Sequence, residues 1–241
     1  MSETATYTLT PGTTPLLVSV PHVGTAIPED IGAALVPRAL AREDTDWHLD
    51  EVYAFARELG AGLLVPRYSR YVIDLNRPPE NAPMYPGANN TELVPTRFFS
   101  GDPLYREGRV PDDAEVARRR DAYWRPYHEA LAGELVRLHA AHGVAVVWDG
   151  HSIQAELPWL FPGRLPDLNL GTAAGASCAQ ALRATLMDVL AAQSRFSSGS
   201  RPSNSHGSSA WMLWPSNSNA RPCAACIRAS SAASASWYGR Q

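Results

Sequence analysis

An α/β fold is what this sequence predicts, and three observations carry the expectation. Two apolar runs, Leu16-Leu17-Val18-Ser19-Val20 and Val144-Ala145-Val146-Val147-Trp148, have the near-continuous, β-branched character of buried strands. Each run ends in a histidine turn, Pro21-His22-Val23-Gly24 and Asp149-Gly150-His151-Ser152. Stretches with helical periodicity lie between them, and 241 residues suit one α/β domain with a sizeable core. In open α/β sheets the carboxyl ends of strands are where ligands bind, so the two histidines mark the expected site.

The remaining elements follow in chain order. Pro28-Glu29-Asp30 reads as a helix start, with proline in the first turn and acids at the positive dipole end. A helical segment is expected from about Arg42 to Leu59, its apolar stripe made by Trp47, Val52, Phe55, Ala56 and Leu59. Gly60 and Gly62 stop it, Leu63-Leu64-Val65 reads as a strand, and Tyr71-Val72-Ile73 as another short β-like run. From Pro78 to Pro111 proline, glycine and asparagine dominate, and a loop of that length in a compact domain is usually functional. Asp112 and Asp113 open a long amphipathic helix to about His142, capped by Gly143. In that helix Tyr123, Trp124 and Tyr127 read as core, and the run Arg118-Arg119-Arg120 as a solvated face. After a Pro/Gly-rich loop, Pro158 to Gly175, a last helix is expected over about Ala176 to Ala192.

Composition narrows the function. A net charge of −3 without a basic cluster argues against nucleic acid as a partner. No apolar stretch reaches the roughly 18 residues of a membrane span and no signal peptide opens the chain, so the cytoplasm is the expected location. Cys178, Cys223 and Cys226 give no disulfide framework, and one CxxC without a second pair is weak support for a metal or redox role. Every one of the 21 basic residues is arginine, which points to a GC-rich gene.

Two imidazoles at strand ends suit zinc, whose catalytic sites often use two histidines and one carboxylate with a position left open. The acid is expected from Glu43-Asp44-Thr45-Asp46-Trp47-His48-Leu49-Asp50. Asp74-Leu75-Asn76-Arg77 also ends a β-like run, and an arginine fork beside an asparagine amide is a natural clamp for a carboxylate. Ser152 follows His151 without a Gly-x-Ser-x-Gly elbow, which argues against a serine nucleophile.

Pro21-His22-x-Gly24, Asp44-Thr45-Asp46-Trp47-His48, Ser69 through Arg77 and Asp149-Gly150-His151-Ser152 together resemble the N-formylglutamate amidohydrolase (deformylase) family. Asp167 through Thr172 and Gly175-Ala176-Ser177-Cys178 continue the pattern, so the resemblance spans roughly residues 7 to 196 in the family's order. It implies a mixed sheet with helices on both faces, like that of zinc carboxypeptidases and aspartoacylases. It further implies hydrolysis of N-formyl-L-glutamate, a small-molecule substrate, to L-glutamate and formate late in histidine degradation. Zinc would be held by His22, His151 and an acid. The position that carries glutamate in a carboxypeptidase-like His-x-x-Glu motif is Thr25, which leaves the third ligand open between Asp46, the first choice, and Asp44. Asn76 and Arg77 would hold a substrate carboxylate, with Arg70 as a second clamp.

The family resemblance also implies a glutamate general base in a C-terminal strand, and no Asp or Glu follows Asp188. Residues 197–241 hold 13 serines and no acid, and read as an irregular, low-complexity tail after a 1–196 domain. Read two bases late in GC-leaning codons, Ala210 through Asn219 permits Val-Asp-Ala-Val-Ala-Ile-Glu-Leu-Gln, with the glutamate codon straddling Ser216 and Asn217. The expectation is therefore a frameshift after about Phe196, with catalytic loss. The competing readings are a zinc amidohydrolase for another N-acyl amino acid and an inactive binder of zinc or acidic amino acids.

Overall fold

The computed structural model describes residues 5–82, 89–165, 169–172, 177–192, 203–204 and 223–230, the last two by backbone alone. Among the described residues seven strands form one mixed sheet: β1 (Tyr7–Thr10), β2 (Leu16–Ser19), β3 (Gly62–Pro66), β4 (Ala145–Ser152), β5 (Asn169–Gly171), β6 (Ser203–Asn204) and β7 (Cys223–Ser230). Their order is β1-β3-β2-β4-β7-β5-β6. β2 runs parallel to both β3 and β4, whereas β1 is antiparallel to β3 and β7 antiparallel to β4. The helices are α1 (Glu29–Gly32), α2 (Leu49–Val52), α3 (Asp113–Arg119), α4 (Arg125–His142) and α5 (Gln180–Ala191).

Strand alternation divides the core between the two faces of the sheet. Leu17, Leu64, Ala145 and Val147 pack under α4 with Tyr127, Leu131, Leu135 and Leu138. Val18, Val20 and Leu63 turn the other way, onto Leu49, Tyr53 and Ala56. On that second face Val146 and Trp148 of β4 and Leu182, Leu186 and Met187 of α5 all pack against Leu170 and Cys178. Helices therefore cover both faces, which explains why the runs at β2 and β4 are apolar without alternation.

Several expectations are corrected. Arg42 to Leu59 is not one helix: the chain is irregular to His48, then makes α2 and a 3₁₀ turn at Ala54–Arg57. Arg42 and His48 adopt positive φ (48° and 65°), which no α-helix admits, and Phe55 and Leu59 are exposed. Tyr71-Val72-Ile73 is a buried turn rather than a strand. Asp149-Gly150-His151-Ser152 is no turn: β4 runs straight through it. The long helix exists, with Asp112 capping the Glu115 amide at 2.9 Å and Gly143 in the left-handed C-cap. It is interrupted by a π-turn at Arg120–Trp124. Arg119 is not solvated but buried, bonded to Glu115, the Val72 carbonyl and the Tyr105 hydroxyl. The last helix starts at Gln180, and residues 173–176 lie outside the described residues. Of the tail expected to be irregular, Ser203–Asn204 and Cys223–Ser230 are strands, and the rest lies outside the described residues.

Candidate metal centre

β2 and β4 are parallel neighbours with Ser19 opposite Asp149, so the residues that follow emerge at the same sheet edge. That register brings His22, just past β2, against His151 near the end of β4. The turn at His22 is tight because Gly24 lies on the backbone of Arg67 and Tyr68, where a Cβ would sit 2.6 Å from the Tyr68 carbonyl carbon. Gly150 has a comparable role within β4, making room for the ring of Tyr53. The irregular Arg42–His48 segment delivers Asp46, whose amide donates to the His22 carbonyl at 3.0 Å.

Three donor atoms converge. His22 Nδ1 and His151 Nδ1 are 3.1 Å apart, and Asp46 Oδ2 lies 3.5 Å from the first and 3.3 Å from the second. All three side chains are buried, and among the described residues Asp46 Oδ2 has no hydrogen-bond donor. Each imidazole presents its other nitrogen to a carboxylate: His22 Nε2 to Asp74 Oδ1 at 2.7 Å, and His151 Nε2 to Asp149 Oδ2 at 3.1 Å. A carboxylate accepts, so each Nε2 carries a proton, and with a cation in place each Nδ1 would offer its lone pair to the shared point. This carboxylate–histidine arrangement is the usual outer support of a metal site.

The supports are themselves held. Asp149 accepts from the Ser19 hydroxyl at 2.7 Å, and Ser19 meets the Tyr127 hydroxyl of α4 at 2.9 Å. Asp74 is paired with Arg70 at 2.5 Å, and Arg70 Nη1 lies 3.4 Å from His22 Nδ1, under the ring of Phe99. Burial alone would raise the Asp74 pKa, but Arg70 and His22 hold it well below the usual carboxylate range. Asp46 is likewise depressed against its burial by the two histidines. Burial opposes charging of His151, yet Asp149 and Asp46 prevail and raise it to about 9.

Asp44, the second choice for the acid, is outside the cluster. Its carboxylate takes the Tyr71 hydroxyl at 2.9 Å and the Phe99 amide at 3.1 Å, and burial raises its pKa. Asp44, Thr45, Phe99, Ser152 and Ile153 line a cleft alongside the histidines. Arg77 donates to Thr91 at 2.5 Å and lies 3.8 Å from Asp74, and the Asn76 amide donates to Asp74 at 2.9 Å. Asp74 and Asp149 had no role assigned from sequence. Asp149 was legible as a polar residue two before His151, hence on the same face of one strand.

A family model for N-formylglutamate amidohydrolase matches residues 14–201. The chain belongs to that family. Within it, N-formylglutamate deformylase of Pseudomonas aeruginosa is 52% identical over 186 residues, covering 77% of this chain and 70% of the relative. The enzyme of the same name from Pseudomonas putida is 46% identical over 186 residues, covering 77% and 69%. Among solved structures, N-formylglutamate amidohydrolase of Ralstonia eutropha superposes with a TM-score of 0.67 at 26% identity, over 83% of this chain and 76% of its own. A gene product of Agrobacterium tumefaciens superposes at 0.58 with 22% identity, over 79% and 71%, a likeness of fold. Membership makes this a hydrolase family chain with a mixed α/β fold. Among the described residues no helix is long and apolar enough to cross a membrane.

Proposed function

We propose that this chain is built to hydrolyse N-formyl-L-glutamate to L-glutamate and formate at a zinc ion held by His22, Asp46 and His151. The observation that carries the reading is the buried triangle of two nitrogens and an orphaned carboxylate oxygen, in a family whose named members are deformylases. A tetrahedral zinc with bonds near 2.0–2.1 Å needs donors about 3.3 Å apart. The edges of the triangle, 3.1, 3.3 and 3.5 Å, match that requirement. When bound, zinc lowers the pKa of water to about 7 and polarises a carbonyl.

The chain's own residues supply the rest. Asp74 and Asp149 fix the tautomer and aim of the two imidazoles. Asn76 and Arg77 take a substrate carboxylate, with Arg70 as a second cation that keeps its pair with Asp74. The ring of Phe99, 4.3 Å from the Arg70 guanidinium carbon, holds that side chain beside the cluster. We extend the family likeness to a sheet of the zinc carboxypeptidase kind and a cytoplasmic role in histidine degradation.

Proton transfer is where this chain departs from the expectation. No acid lies between Asp188 and Gln241, so that stretch does not supply the glutamate base expected from a C-terminal strand. A frameshift after about Phe196 accounts for the loss of acids, and sequencing the gene tests it: no single frame change near that codon restoring the family pattern would end the idea. The same absence favours a second reading, a binder of zinc and acidic amino acids with little turnover.

Metal content and formate release, measured together, test the proposal. The parent should hold about one zinc per chain, and His22→Ala, Asp46→Asn and His151→Ala should each lose it. Formate release from N-formylglutamate should exceed acetate release from N-acetylglutamate. Variants that keep the parent's metal would remove the zinc assignment. Retained zinc with no turnover would select the binder.

A further inference from the structure

The segment from Val72 to Arg77 is largely buried yet belongs to no strand or helix, so its carbonyls need donors from elsewhere. One helical run supplies three of them. Arg119 Nη1 donates to the Val72 carbonyl at 3.3 Å, His128 Nε2 to that of Leu75 at 2.8 Å, and Trp124 Nε1 to that of Arg77 at 2.9 Å. In a regular α-helix, which advances about 100° per residue, Arg119 and Trp124 would diverge by about 140°. The π-turn at Arg120–Trp124 absorbs the extra residue and returns Trp124 to the side of Arg119. α-Helical register then resumes, so Trp124 and His128 share one face, their rings stacked at 3.8 Å and 23°.

Asp74 sits inside this grip, with its amide on the Leu93 carbonyl at 2.7 Å and its carboxylate on His22 Nε2 at 2.7 Å. Displacing the turn by about 1 Å would carry that carboxylate out of hydrogen-bond range.

We propose that Trp124 and His128, aligned by the π-turn, are positioning residues that fix the Asp74–Arg77 turn and through it the aim of His22. The consequence for metal binding rests on the reading of His22 as a ligand; the consequence for the His22–Asp74 bond does not.

Trp124→Phe keeps a ring in the stack and removes the indole donor; His128→Phe does the same at the other carbonyl. Two properties are read. The first is the proton resonance of the His22 Nε2–H in metal-free protein, assigned by its loss in His22→Gln. The second is the Co²⁺ dissociation constant and visible spectrum of the loaded protein. Both variants should move the His22 resonance away from its carboxylate-bonded position. Both should weaken Co²⁺ about tenfold, the low end of the range for partners that touch a ligand directly. Arg125→Ala, on the exposed side of α4, should change neither. Folded variants that keep the resonance and the parent's Co²⁺ affinity overturn the proposal. If the parent takes up no Co²⁺, the metal reading falls and the resonance alone decides. If Trp124→Phe does not fold, His128→Phe decides.

Discussion

Replacing Asp74 by asparagine separates two effects that the structure ties to one carboxylate. The side chain is buried between His22 Nε2 at 2.7 Å and Arg70 Nη2 at 2.5 Å, and Arg70 itself is only 4% exposed. Asparagine keeps the shape and one acceptor but removes the charge that balances the guanidinium. An uncompensated buried cation typically costs about 3–5 kcal/mol. In a domain of this size about 2–4 °C of Tm accompanies each kcal/mol, so a fall of about 6–20 °C is expected. The imidazole effect is distinct: losing a carboxylate partner of a metal-ligating histidine weakens the metal about 10–100-fold. Differential scanning calorimetry of metal-free protein reads the first effect, and Zn²⁺ competition titration reads the second. An Asp74→Asn variant with the parent's Tm and zinc affinity would refute both the pairing and the supporting role.

Three further outcomes are expected. Gly24→Ala forces a Cβ to within 2.6 Å of the Tyr68 carbonyl carbon, about 1 Å inside normal contact, on backbone that cannot rotate away. It should cost about 1–3 kcal/mol or more in urea unfolding and loosen the metal by displacing His22. In metal-free protein His151 is raised to about 9, so its stabilisation is complete below its ordinary value of 6.5 and lost as pH rises through 9. Tm should therefore fall across that interval, and in His151→Gln this decline should vanish. Arg119→Ala strips donors from Val72 and Tyr105 and should cost about 1–3 kcal/mol, whereas Arg118→Ala, on the surface, should cost under about 1 kcal/mol. Equal losses for the two variants would contradict the buried placement of Arg119.

The strands and both histidines were legible because their signal is local: β-branched runs buried on two faces, each followed closely by an imidazole. Asp46 was legible as a residue type and a neighbourhood, and geometry then separated it from Asp44. The failures share a cause. Tyr71-Val72-Ile73 has strand composition, but the Tyr71 and Val72 amides turn back onto Ser69 and the Val72 carbonyl takes Arg119 of a distant helix, which no local pattern encodes. The Arg42–Leu59 stretch has helical spacing, yet tertiary bonds from Tyr71 and Phe99 to Asp44, and from Asp46 to the His22 carbonyl, hold it in another course. Arg119 looked like a surface residue because the groups that bury it, the Val72 carbonyl and the Tyr105 hydroxyl, come from distant parts of the chain.

Every atom of the donor triangle and its supports, from Ser19 to His151, is contributed before the chain leaves β4. The neighbour of β4 on its far side, β7, is joined to it by backbone pairing, with Ala224 opposite His151. Ladder bonds of that kind are indifferent to which side chains they carry. The donor cluster can thus tolerate changes of side chain along β7 as long as that strand still pairs with β4.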